Sequence, residues 1–180
     1  MDFAARVYFD FESDDSWRLH QLFGRARIEG SQIILDWTGF SEDPPTSSPS
    51  ARTMLSFYEW LHRADPPAAE RFVQMAMVLL HDEKAPADEL DTLLIAAKAS
   101  GVEPDVCRQV VHDRRGELLL DKTMKEARSL GVAAVPSLYR AGVPLHVVTT
   151  PVVLEGSATA RLVVFDSMLN DDGLWSVSKP

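Results

Sequence analysis

Residues 13–16, Ser13-Asp14-Asp15-Ser16, place two hydroxyls and two carboxylates in one short stretch, between the aromatic run "RVYFDFE" and Trp17. Serine is among the best helix N-caps, and acidic residues favour the first helical turn, where the dipole is positive. Together, Asp10, Glu12, Asp14 and Asp15 could attract a hard cation such as calcium or magnesium. The stretch lacks a calcium-loop pattern and a glycine at the turn, so the ordinary reading is a strand-end acid followed by dipole acids, with no metal expected. A serine hydroxyl is not ionised at neutral pH and cannot exchange disulfides, which requires a thiolate. Whatever this junction does, it does without a sulfur of its own.

The rest of the chain narrows the chemistry further. Its single cysteine, Cys107, rules out an intrachain disulfide, a cysteine zinc cluster and dithiol redox chemistry. Cys107 lies in a valine-rich helical stretch and is expected to pack as a small hydrophobe. The histidines, His20, His62, His81, His112 and His146, show no metal-ligand spacing. His20 falls in the first helix, one turn after Ser16, and reads as a solvated surface residue. Glycine-rich phosphate loops, G-x-S-x-G and H-E-x-x-H are absent, which removes nucleotide-binding and common hydrolase readings. A net charge of −9 disfavours nucleic acid and anionic membrane as partners. No apolar run approaches the ~20 residues of a membrane span, and "MDFAAR" is no secretory signal, so a cytoplasmic location is expected.

The elements that must position this junction follow from periodicity. "ARVYFDF" reads as a strand, "SDDSWRLHQLFG" as a helix that Gly24 can end, and "SQIILDWTGF" as a second strand with Ile33, Ile34 and Leu35 at its buried centre. Strand, helix, strand favours a parallel pair with a crossover. "SEDPPTSSPS" marks a boundary, after which helical stripes run to about residue 130. Met54, Phe57, Tyr58 and Leu61 form the first stripe; Phe72, Met75, Ala76 and Leu79 form the second. Leu90, Leu93, Leu94 and Ala97 form the third, Val102, Val106 and Val110 the fourth, and Leu120, Met124 and Ala127 the last. "VPSLYRAG" reads as a strand and turn, "PLHVVTTPVVLEG" as one or two more strands, and "SATARLVVFDSMLNDDG" as a helix capped by Ser157 and stopped by Gly173. The order predicts an α/β thioredoxin-like fold: a core from residues 1–40 and 131–180, and a helical subdomain from 50 to 130 inserted in it.

Two local motifs sharpen this. "FDFESDDSW" opens the chain and "LGVAAVPSLY" follows the helical block. Together they resemble the DsbA-like branch of the thioredoxin superfamily, which includes kappa-class glutathione transferases and 2-hydroxychromene-2-carboxylate isomerases. Redox members carry C-x-x-C where this chain has Ser13 and Ser16. The kappa and isomerase pattern, an aromatic-Asp strand followed by Ser-Pro-x-Ser and an aromatic, is matched by Phe9-Asp10, Ser13, Ser16 and Trp17; Asp14 departs, standing in place of proline. Val135-Pro136 matches the family's cis-proline motif.

The resemblance implies that Ser13 is the catalytic residue, donating a hydrogen bond to the thiolate of glutathione or mycothiol. It implies that Ser16, Val135 and Pro136 bind that cofactor, and that Asp14, Trp17 and Tyr139 line a cleft for a hydrophobic small-molecule substrate. It also implies a homodimer. Two acids beside the thiolate weigh against this: a like charge at ~5 Å costs roughly 0.8 kcal/mol in water and roughly 3 kcal/mol at an effective dielectric near 20. A catalytically silent protein that uses the same cleft for a peptide, ligand or partner, with Ser13 a cap alone, is the alternative.

Overall fold

The computed structural model describes residues 1–42, 49–142 and 144–170. A strand β1 (Asp2–Phe9) leads through helix α1 (Asp14–Ile28) to β2 (Gln32–Gly39). Five helices follow: α2 (Pro49–Ala64), α3 (Pro66–Met77), α4 (Leu90–Ala99), α5 (Pro104–His112) and α6 (Glu117–Ser129); α3 runs on into a π-helical turn, Val78–Asp82. The chain then returns through β3 (Ser137–Tyr139), β4 (Leu145–His146) and a short 3-10 turn to α7 (Ala158–Asn170). The sheet has the order β2-β1-β3-β4. β1 and β2 are parallel, in register from Asp2 opposite Gln32 to Phe9 opposite Gly39, as the intervening helix demands. β3 runs antiparallel to β1, with Ser137 opposite Tyr8 and Tyr139 opposite Arg6.

Aromatic side chains join the sheet to the inserted helices. Phe9 meets Phe11, Trp37 and Tyr58 edge-on, at ring-centre distances of 5.0, 5.3 and 5.3 Å. Phe11 in turn meets Phe72 of α3 at 5.7 Å. Such edge-to-face pairs add roughly 0.5–1.5 kcal/mol each beyond the area they bury. The Tyr58 hydroxyl donates to the Trp37 carbonyl, which fastens α2 to the edge strand. The helical stripes are largely core as expected, with Leu90 and Val106 the exposed exceptions.

Two local expectations are corrected. The centre of β2 is not Ile33 to Leu35: Ile34 is 74% exposed, and burial begins at Trp37. β2 is an edge strand, and α2 and α6 cover only its far end, where Leu55, Glu59 and Leu120 close on Gly39 at 3.1–3.3 Å from where a Cβ would stand. Gly24 does not end α1, which continues through Arg25–Ile28 to a cap at Glu29, with Gly30 taking the left-handed φ of 92°. An isolated interior glycine costs only about 1 kcal/mol, and good helix formers follow it. "PLHVVTTPVVLEG" yields one two-residue strand, within the one or two expected, with Pro144 at its start and Pro151 in its middle limiting the pairing. Ser157 does cap α7, accepting the Ala160 N–H at 3.2 Å. Gly173, read as the stop of α7, lies outside the described residues.

Candidate functional site

The site is built where β1 ends and α1 begins. Ser13 has extended backbone angles, φ −77° and ψ 115°, and its Oγ accepts the Ser16 N–H at 3.1 Å, the bond expected of an N-cap. That bond uses an acceptor position only, so the hydroxyl proton of Ser13 is still available to donate. Ser16 stands on the inner side of the turn with no exposed surface, and its Oγ accepts the Asp10 N–H at 3.4 Å. It therefore supports the junction from below, on the side closed to solvent, and not on the exposed face where a cofactor contact is expected.

The two carboxylates lead away from Ser13 in different directions. Asp15 Oδ1 accepts the Thr149 hydroxyl at 2.6 Å, the Thr149 N–H at 3.0 Å and the Arg18 guanidinium at 2.9 Å. Arg18 also donates to Thr149 Oγ1 at 2.8 Å, closing a three-residue network between α1 and the segment after β4. Burial pushes the Asp15 carboxyl up, but the Thr149 and Arg18 hydrogen bonds outweigh it and hold the group below the usual aspartate value. Asp14 is exposed at 73% of its side chain and lies 3.3 Å from His81 Nδ1.

His81, on the π-helical turn, is a part of the site that the sequence reading missed. Its Nε2 lies 2.8 Å from the Phe11 carbonyl. A carbonyl only accepts, so Nε2 carries the proton and donates it. Trp17 stacks on His81 with ring centres 5.5 Å apart and planes 7° apart, and on His20 at 5.6 Å and 15°. His20 is not a solvated surface residue: it packs against Trp17 and Trp37, and its Nδ1 is buried without a hydrogen-bond partner among the described residues. Burial, reinforced by the charges of Arg27 and His81, lowers its pKa to about 4, so at neutral pH it is an uncharged ring.

The Val135–Pro136 peptide bond is cis. Continuing the β1–β3 register past Tyr8–Ser137 sets Pro136 beside Phe9 and Val135 beside Asp10, at the same end of β1 as Ser13. The Pro136 carbonyl accepts the Val147 N–H at 2.9 Å, and the Ser137 hydroxyl donates to the Ala134 carbonyl at 2.7 Å, so the turn is held from both sides. The Val135 N–H donates to Glu42 Oε1 at 3.2 Å. Tyr139 is three residues further along, opposite Arg6, about 10 Å from Pro136 at ~3.3 Å per residue. Its strand carries it away from this end of the sheet, so it does not stand as a wall beside Trp17.

The structure thus gathers Ser13, Asp14, Trp17, Val135 and Pro136 at one end of the sheet, buries Ser16 and sets Tyr139 apart. His81 and Glu42 complete the site. His81 meets Phe11 across seventy residues of sequence, and Glu42 meets Val135 across ninety-three, so no local pattern could have announced either contact. Among the described residues no group of three His, Cys, Asp or Glu side chains could hold a metal ion, and no helix is long and apolar enough to cross a membrane. Cys107 is fully buried, and burial pushes its thiol up to about 12.

No protein-family model matches the chain, and no curated protein matches it by sequence. Solved structures do. A Nitrosomonas europaea protein that carries the name of a protein disulfide isomerase superposes with a TM-score of 0.67, at 10% identity, over 94% of this chain and 98% of that one. A thiol-disulfide exchange protein of Wolbachia pipientis gives 0.62 at 14% identity over 93% and 84%, and the disulfide oxidoreductase DsbA of Proteus mirabilis gives 0.60 at 10% over 93% and 88%. Identities this low speak for fold alone. The chain has the DsbA-like thioredoxin fold with its helical insertion, and with Cys107 as its only cysteine it has no dithiol chemistry.

Proposed function

We propose that this protein binds a low-molecular-weight thiol, glutathione or mycothiol, with the thiolate against Ser13, and uses it as a transferase or isomerase. The observation that carries the reading is the arrangement of charge around Ser13. Its Oγ accepts from Ser16 and keeps its own proton, while Asp15 is engaged by Arg18 and Thr149 and Asp14 lies against His81. The Asp15 carboxylate, which would repel a thiolate, is thereby drawn off, and the positive end of α1 favours the sulfur. Ser13 donates to the sulfur, Trp17 offers an apolar flank, and the Val135–Pro136 turn lies beside the cofactor backbone. In a transfer, the thiolate sulfur bonds to an electrophilic carbon and the leaving group departs with its electron pair. In an isomerisation, the sulfur adds and is released unchanged. A cytoplasmic setting and a homodimer belong to the same reading.

The test is calorimetric titration of the protein and of Ser13→Ala with both thiols. A hydrogen bond to a charged group is worth about 1.5–3 kcal/mol, so the substitution should weaken binding at least about tenfold. Absence of binding, or equal binding by Ser13→Ala, would overturn the proposal. One observation favours a second reading, a catalytically silent protein that holds a peptide, ligand or partner in the same cleft: the Val135 N–H is already taken by Glu42.

A further inference from the structure

Glu42 is held in place by its neighbours. Past the end of β2, the Phe40 N–H donates to the Phe9 carbonyl at 2.9 Å, and the Ser41 carbonyl accepts Arg128 at 3.3 Å. The next residue delivers its carboxylate onto the Val135 N–H at 3.2 Å. A ligand whose carbonyl or carboxylate pairs with that amide must displace this carboxylate and then sit beside it. Asp14, mostly exposed, stands at the α1 side of the same end of the sheet. The cations nearby are committed. Arg18 serves Asp15 and Thr149, and Arg128 serves the Ser41 carbonyl and lies over the Phe40 ring at 5.6 Å.

We infer that Glu42 is a specificity residue: it holds the ligand's place on the Val135 amide and selects a thiol without a carboxylate next to its cysteinyl group. The favoured ligand class is an acylated cysteine amide with no carboxylate on either flank, as in mycothiol, over one whose flanking residues carry free carboxylates, as in glutathione, where the cysteine carboxyl is likewise an amide. This rests on the thiol reading above. A like charge at ~5 Å in water corresponds to about a fourfold change in affinity, and to more where water is excluded.

The test uses N-acetylcysteine amide and N-acetylcysteine as probes, titrated into the full chain and into Glu42→Gln and Glu42→Ala. The wild type should bind the amide at least about fourfold more tightly than the acid. Glu42→Gln keeps an oxygen for the Val135 N–H but removes the charge, so it should narrow that ratio; comparing ratios between proteins cancels any intrinsic difference between the two thiols. Glu42→Ala removes the competitor as well and should tighten both probes. A ratio unchanged by Glu42→Gln, or equal binding of both probes to the wild type, would overturn the inference and leave the thiol reading standing. Failure of both probes to bind all three proteins would overturn the thiol reading and this inference with it.

Discussion

Glu59 offers the sharpest check on how the fold delivers this site. It sits on α2 almost fully buried; Oε1 accepts the Gly39 N–H at 2.8 Å, and Oε2 accepts the Thr123 hydroxyl at 3.0 Å. It therefore ties the end of β2, three residues before Glu42, to α2 and α6. Glu59→Ala would leave the buried Gly39 N–H without an acceptor, costing about 1–3 kcal/mol, and would remove one buried methylene at ~0.8 kcal/mol. The expected loss is about 2–4 kcal/mol. Glu59→Gln keeps the acceptor for Gly39 and can donate to Thr123, so it should stay within about 1 kcal/mol of wild type.

The two proteins separate with pH. Burial pushes the Glu59 carboxyl above its ordinary value of 4.5, against the pull of Gly39 and Thr123. A folded pKa above the unfolded one means that the unfolded chain ionises first. The stability contributed by the protonated group is thus fully present below pH 4.5 and is lost as pH rises through the folded value. Glu59→Gln has no such group. Urea denaturation followed by circular dichroism, at steps from pH 4.5 to 8, should show wild type losing stability relative to Glu59→Gln as pH rises. A difference that stays flat, or that grows in favour of wild type, would refute the assignment of a buried carboxyl strained by its own charge.

Three further outcomes follow from single contacts. A Cβ added at Gly116 would lie 1.8 Å from the Ser56 carbonyl oxygen, so Gly116→Ala must push α2 away from the start of α6 and should cost about 1–3 kcal/mol or more in chemical denaturation; a neutral result would contradict that packing. Cys107 should resist a thiol-specific reagent in the folded protein and titrate as one thiol in denaturant, and rapid modification of the native protein would refute its burial. Glu29 accepts the Thr159 and Ala158 N–H groups and the Ser157 hydroxyl at the start of α7, which lowers its carboxyl from 4.5 to about 2. Its contribution is present above pH 4.5 and lost as pH falls towards 2, so Glu29→Gln should flatten the acid limb of the stability profile between those values, and an unaltered limb would contradict the cap.

Much of the scaffold is legible in the sequence because it rests on local chemistry. Ser13 reads as an N-cap from its type and its place before an amphipathic run, and the strand-helix-strand order fixes a parallel pair. Where the reading fails, distant parts of the chain decide. The Ile33–Leu35 run looks central by hydrophobicity, yet coverage of β2 depends on where α2 and α6 land, and they land on Gly39. His20 looks solvated on a helical wheel, but Trp37 comes from the next strand to cover it. The site divides in the same way. Ser13, Trp17 and the Val135–Pro136 turn carry recognisable neighbours, whereas His81 and Glu42 acquire their meaning only when remote backbone folds against them. The acidic pair illustrates the limit best: sequence supplies two negative charges beside Ser13, and only the fold shows Arg18 and Thr149 engaging Asp15 while Asp14 stays mostly exposed beside His81.

The most direct test of the account is a titration of the isotopically labelled protein with mycothiol, followed by the backbone amide and tryptophan side-chain signals in two-dimensional NMR. The account predicts saturable shifts concentrated at Ser13 to Trp17, the Trp17 indole and Val135, with the inserted helices α4 and α5 unmoved. Shifts that are absent, or that gather on the inserted helices, would contradict a thiol site at the start of α1.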